Sequence, residues 1–238
     1  NNWIQKYNNP LAYVLSAKLD GVSGLYVNNK LYTRGNGKEG QDISRLIPYL
    51  NLPTLDTNIA IRGEFIISKH NFDAYFKDQS NPRNTVSGMI NKLKFDAKIK
   101  YVDFICYECI HPAMTPIQQL EFIQSLEIQV VPHLFIQDKI ITKTILSNYL
   151  IQLRETLDYD IDGIICNHNK IYARSSENPK HAFAFKMIAT DNVVETHVLD
   201  VLWEPSKDGY LKPRVYIEKV NLGGVNVEYA TAFNADYV

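Results

Sequence analysis

The chain holds few of the features that staple or anchor a protein from outside its core. Three cysteines among 238 residues are too few for a disulfide scaffold and point to a reducing compartment. No apolar run approaches the roughly 18 residues a membrane helix needs, and no charged-then-apolar leader opens the chain, so neither a membrane nor a secretory role is expected. Charge of one sign is lacking too. Twenty-five basic residues stand against 26 acidic ones, a net charge of −1, so no global field announces a polyanionic partner and any such contact must come from local patches. Internal repeats and low-complexity linkers are absent, and the first residue is not methionine, as expected of a fragment. What is present is a hydrophobic fraction of 45%, that of an ordinary globular core.

Periodicity mixes strands with helices over most of the chain. LYVNNKLYT reads as a hairpin in which Asn28 and Asn29 take the positive φ angles of a tight turn, and IAIRGEFIIS as a buried strand. DISRLIPYL, RNTVSGMINKL, PIQQLEFIQSL and KTILSNYLIQLRETL repeat their apolar residues at helical spacing. From about residue 191 only strand patterns remain, which predicts an α+β domain over residues 1–190 and the start of an all-β unit over 191–238. Cys106 and Cys109 form C-Y-E-C inside the strand pattern YVDFICYECI. Residues three apart on a strand point to opposite faces, and no second C-x-x-C completes a zinc site, so both are expected to pack in the core.

Several charges interrupt apolar strands. In AYVLSAKLDG, Ser16, Lys18 and Asp20 share one strand face. Glu64 interrupts IAIRGEFII beside Arg62, and Lys186 interrupts AFAFKMIA. Asp160 and Asp162 precede an apolar strand on a common face. An unpaired buried ion costs several kcal/mol, so these groups form either an internal ion-pair network or the wall of a shared polar cleft. An amine of pKa ~10.4 is only about 0.1% deprotonated near neutral pH, a penalty of roughly 4 kcal/mol for a nucleophile, and a neighbouring cation lowers that penalty. A lysine so activated serves either a Schiff base or attack on phosphorus. TRGNGKEG at 33–40 has the glycines of a phosphate loop, but it continues a hairpin, and a simple turn accounts for it equally well.

Taken in order, KLDG, TRGNG, IRGEF, NPRN with the following SG, DYDIDGII and PKHAFAFKM resemble the motifs of the NAD-dependent DNA ligases. The resemblance implies a nucleotidyltransferase domain of the ATP-grasp-like DNA ligase type. It implies Lys18 as the nucleophile that takes AMP from NAD, Asp20 as an orienting group, Glu64 at the ribose or a metal, and Tyr107 stacked on adenine. Asp162 would help bind Mg²⁺, with Glu64 as a second ligand, and Lys186 would hold the α-phosphate. Arg34, Arg83 and Arg154 match arginines that contact nucleotide or DNA phosphates. GYLKPRVYIEKVNLGGVNVEYATAFNAD, 209–236, resembles the opening of the family's OB-fold, a pattern the ATP-dependent branch lacks.

The chain departs from the family at four places: Ser16 where a glutamate reads adenine, Asn167 where a lysine contacts a phosphate of the cofactor, Asn36 in TRGNG, and PKH at 179–181 for PRW. No segment resembles the NMN-binding, zinc, helix-hairpin-helix or BRCT parts. The expected protein is an intracellular monomer, of the cytoplasm or nucleoid or encoded by a virus, that binds NAD and nicked double-stranded DNA. A catalytically impaired nick-binding protein, an ATP-dependent ligase or a capping enzyme are the alternatives.

Overall fold

Two antiparallel sheets carry the first of two compact units, Asn1–Met187, in the computed structural model; the second unit is Ile188–Val238. The structure describes residues 2–35, 39–92, 96–174, 178–187, 194–206, 209–222, 225–232 and 234–235. The expected boundary at 190/191, the Asn36 departure and the GG of the GGV element therefore lie outside the described residues.

In chain order the first unit runs α1 (Asn2–Lys6), β1 (Ala12–Leu19), β2 (Val22–Val27), β3 (Lys30–Thr33), β4 (Ala60–Ile66), α2 (Lys69–Tyr75), α3 (Pro82–Asn91), β5 (Asp103–His111), α4 (Pro116–Ser125), β6 (His133–Gln137), α5 (Lys143–Thr156), β7 (Ile161–His168) and β8 (Ala182–Phe185). One sheet has the order β3-β2-β4-β5 and the other β6-β1-β7-β8. Asn28 and Asn29 adopt φ of 51° and 56°, which lets Val27 pair with Lys30 across a two-residue turn.

The helices expected at 83–93, 116–126 and 143–157 are α3, α4 and α5. Each opens on a polar residue before its apolar stripe: Asn81 accepts from the Asn84 N–H, and Thr142 from that of Ile145. DISRLIPYL folds instead as a 3₁₀ helix, Ser44–Tyr49, because Pro48 has no N–H to donate. The short helices α1 and α2 had no periodicity long enough to reveal them.

Two hydrophobic clusters form the core of this unit, the second of which also takes Ile66 from β4 and Ile105 from β5. Tyr26, Leu31, Ile61, Phe65, Val86, Ile90, Phe104, Cys106 and Cys109 belong to one. Tyr13, Leu15, Ala17, Leu120, Leu146, Leu150, Ile164 and Cys166 belong to the other. The opposite-face expectation for Cys106 and Cys109 fails, since both lie in the same cluster. The pairings Arg62↔Glu108 and Gly63↔Cys106 leave Tyr107 as an extra, bulged residue, and one inserted residue returns the two thiols to one face. The second unit contributes β9 (Val198–Pro205), β10 (Leu211–Leu222) and β11 (Val225–Thr231), an antiparallel sheet of order β11-β10-β9.

Candidate active site

Lys18 lies near the end of β1, flanked by buried Ala17 and Leu19. Its Nζ donates to Asp162 Oδ2 at 2.7 Å, and Lys186 Nζ donates to the same oxygen at 3.0 Å. A second bulge makes this meeting possible. Lys18 pairs with Gly163 and Leu19 with Ile161, so Asp162 is the extra residue of β7. Desolvation acts to raise the pKa of Asp162, but the hydrogen bonds and charges of Lys18 and Lys186 outweigh it and hold the carboxylate below its ordinary value.

The same bulge breaks the alternation that would have given Asp160 and Asp162 one environment. Burial raises the pKa of Asp160, opposed by Lys69 and reinforced by Asp20 and Asp73. Lys186 also differs from expectation. β8 ends at Phe185 at the edge of its sheet, and the Lys186 side chain is 58% exposed. It is a cation at a strand end that bends to Asp162, and not a charge buried in a central strand.

Glu64 on β4 is partly buried, and desolvation pushes its pKa up to about 7 against the opposing pull of Arg83, Lys18 and a hydrogen bond from the Gly21 N–H. Gly21 is required where it stands, because a Cβ there would sit 2.2 Å from the Phe65 carbonyl oxygen. Asp20 accepts from Arg83 at 2.5 Å, and its N–H donates to the Asp160 carbonyl.

The bulge at Tyr107 turns its ring out of the core alternation, and its hydroxyl meets Ser23 Oγ at 2.7 Å. Beside it Glu108 bridges Arg62, at 3.1 Å, and Arg174, at 2.7 Å.

A cavity of about 1190 Å³ collects most of these groups. Ser16, Lys18, Arg34, Arg62, Glu64, Arg83, Tyr107, Glu108, Asn167 and Arg174 all line it, from both sheets. Asp20, Asp162 and Lys186 reach it through Arg83 and Lys18. Arg154 is not brought there; from α5 it donates to the Met187 carbonyl at 2.9 Å.

Sequence reasoning passed over Glu108 and Arg174, and also the stacked pair Tyr172–His181, whose ring centroids lie 4.1 Å apart. The charge of Glu108 inside YVDFICYECI was the available signal. Two buried oxygens, Asp162 Oδ1 and Asn167 Oδ1, have no hydrogen-bond partner. Among the described residues no cluster of three or more His, Cys, Asp or Glu forms a metal cage.

A structure from a structure–function analysis of Lig E DNA ligases superposes with a TM-score of 0.59 over 92% of this chain and 77% of that one, at 16% identity. The fold is thus that of the nucleotidyltransferase-type ligases. Residues 1–190 match the family model of the NAD-dependent DNA ligase adenylation domain, and the chain belongs to that family. Over its whole length it is 40% identical to a DNA ligase of Acanthamoeba polyphaga mimivirus and 39% identical to a putative DNA ligase of Invertebrate iridescent virus 6. Over 99% of its length it is 30% identical to a DNA ligase of Clostridioides difficile. It spans 38%, 41% and 39% of these relatives, about two fifths of each. Among the described residues no helix is long and apolar enough to cross a membrane.

Proposed function

We propose that this chain is the adenylation core of an NAD-dependent DNA ligase, acting on nicked double-stranded DNA. The observation that carries the reading is the convergence of Lys18 and Lys186 on one oxygen of Asp162 at the edge of the large cavity. In this reading NAD is a substrate. Lys18 Nζ attacks the α-phosphorus, a nitrogen–phosphorus bond forms, the diphosphate P–O bond breaks, and nicotinamide mononucleotide leaves. Asp162 Oδ2 stands at 2.7 Å to accept or relay the proton that Lys18 sheds. Lys186 and Arg83 face the charge that develops on the phosphoryl oxygens. AMP then passes to the 5′-phosphate of the nick, and attack by the 3′-hydroxyl releases it and seals the strand.

The remaining roles follow the cavity. Tyr107 and Ser16 border the base, Glu64 the ribose, and Arg34 and Arg83 the phosphates, while Arg154 serves DNA from outside the cavity. Asp162 Oδ1, buried and unpartnered, with Glu64 fits Mg²⁺, which takes one or two carboxylates and completes its shell with water and phosphate oxygens. When bound, Mg²⁺ neutralises charge on the diphosphate.

Residues 1–190 form the nucleotidyltransferase domain and 191–238 the first strands of an OB-fold. The three-stranded antiparallel sheet of order β11-β10-β9 supports this. The protein works as a monomer inside the cell.

The test is intact mass and peptide mapping after incubation with NAD or with ATP. A gain of one AMP from NAD, on Lys18, is expected. AMP on another lysine, or gained from ATP alone, overturns the assignment, and no adduct in any form favours a nick-binding protein.

A further inference from the structure

Asn167 Oδ1 is buried without a hydrogen-bond partner although the residue lines the cavity. No protein group holds that oxygen, so nothing within the protein fixes which way the Asn167 amide is turned. Asn167 pairs with Val14 on β1, and Ser16 pairs with Ile165, which puts Ser16 and Asn167 on alternate rungs of the same ladder and so on one face of the sheet. Both line the cavity, together with the apolar side chains of Val14, Val22, Leu120, Val131 and Ile165.

The rest of the argument relies on the proposed adenylation chemistry. With the α-phosphorus at Lys18, the strand rise of about 3.3 Å per residue puts Ser16 roughly 7 Å away and the Val14–Asn167 rung roughly 13 Å away. That is the reach from a nucleotide's phosphate to the far edge of its base. The apolar residues then flank the ring, and Ser16 and Asn167 meet its polar edge.

We propose that these two residues make the site tolerant at the 6-position of the purine, so that it takes a 6-oxopurine nucleotide nearly as well as a 6-aminopurine nucleotide. Neither side chain has a fixed polarity. A serine hydroxyl rotates to donate or accept, and an asparagine amide offers an acceptor on one side and two donors on the other. Facing a 6-amino group, Asn167 Oδ1 accepts from the exocyclic N–H. Facing a 6-oxo group, the amide turned by half a rotation donates from Nδ2 to O6 and accepts from N1–H. A carboxylate at position 16 would accept only and would repel O6, and a site of fixed polarity can reject the wrong partner by about 10⁴-fold.

The experiment is titration calorimetry of the unadenylated protein with AMP and with IMP. Dissociation constants within about 10-fold of each other are expected, whereas IMP weaker than AMP by more than about 100-fold overturns the proposal. Asn167→Leu, which removes the amide without adding charge, should weaken both nucleotides by a similar factor of about 10. A loss confined to AMP means a fixed amide and also overturns it. The double variant Ser16→Glu with Asn167→Lys introduces fixed polarity with its charges balanced, and should lower IMP affinity by at least about 30-fold relative to AMP. An unchanged ratio there counts against the assignment of the base edge to these positions. Circular dichroism of each variant separates misfolding from lost recognition. If AMP binds and IMP is rejected, only this inference fails. If neither nucleotide binds and no lysyl-AMP forms, the adenylation reading fails with it.

Discussion

Two ammonium groups on one carboxylate oxygen make Asp162 the organising residue of the site. Asp162→Asn removes the charge that holds Lys18 and Lys186 together and should lower single-turnover nick sealing by orders of magnitude. Asp160→Asn, in its separate environment, should cost far less. Equal losses in a sealing assay would mean the wrong carboxylate is assigned. Lys18→Arg keeps the charge but cannot serve as a nucleophile, so covalent AMP should vanish while the circular dichroism spectrum stays unchanged.

Glu64 gives the pH prediction. Its folded pKa is raised from 4.5 to about 7 by desolvation, so between those values the folded state binds more protons than the unfolded chain. Stability therefore falls as pH rises through that window and levels off above about 7. Glu64→Gln should flatten the decline and raise stability at pH 8 by about 2 kcal/mol after allowance for partial solvent screening. Urea midpoints measured from pH 5 to 8 check this, and an equal slope in both proteins would refute it.

At the scale of elements, two bulges decide where chemistry can occur. The extra residues Tyr107 and Asp162 are aimed by a break in register, and a register is a property of two strands, not of one segment's alternation. That is why charged residues such as Lys18, Glu64 and Asp162 were legible as candidates in the sequence while the two cysteines were assigned to opposite faces. Helices α3 to α5 were legible because long apolar stripes and polar N-caps agree. The 3₁₀ helix was legible only through Pro48, which the helical spacing of DISRLIPYL masked, and the charge of Glu108 marked it as a candidate while its partners Arg62 and Arg174, distant in sequence, left no trace in that segment.

The close approach of Gly21 to the Phe65 carbonyl belongs to this scale too. Gly21→Ala should force the start of β2 away from β4, where Val22 pairs with Phe65, and cost about 1–3 kcal/mol, together with a loss of adenylation. Unchanged unfolding midpoints would show that the backbone relaxes freely there.

For the molecule as a whole, a net charge of −1 means that the DNA binding proposed above would have to rest on placed arginines and lysines. Each phosphate contact contributes a slope of about −0.9 in log affinity against log salt. If Arg154 serves DNA, Arg154→Ala should reduce the measured slope by about one contact. If its bond to the Met187 carbonyl is its whole role, thermal stability should fall with the slope unchanged.

The three thiols offer an internal gauge of motion. Cys106 and Cys109 are sealed in one hydrophobic cluster and Cys166 in the other. Burial raises the pKa of all three, which suppresses the reactive thiolate. An aromatic disulfide reagent can therefore modify them only when the surrounding layer opens, and the two clusters will report their openings separately. Without any engineered label, the time course of modification, resolved by peptide, would tell which half of the cleft loosens first and whether a bound nucleotide locks both.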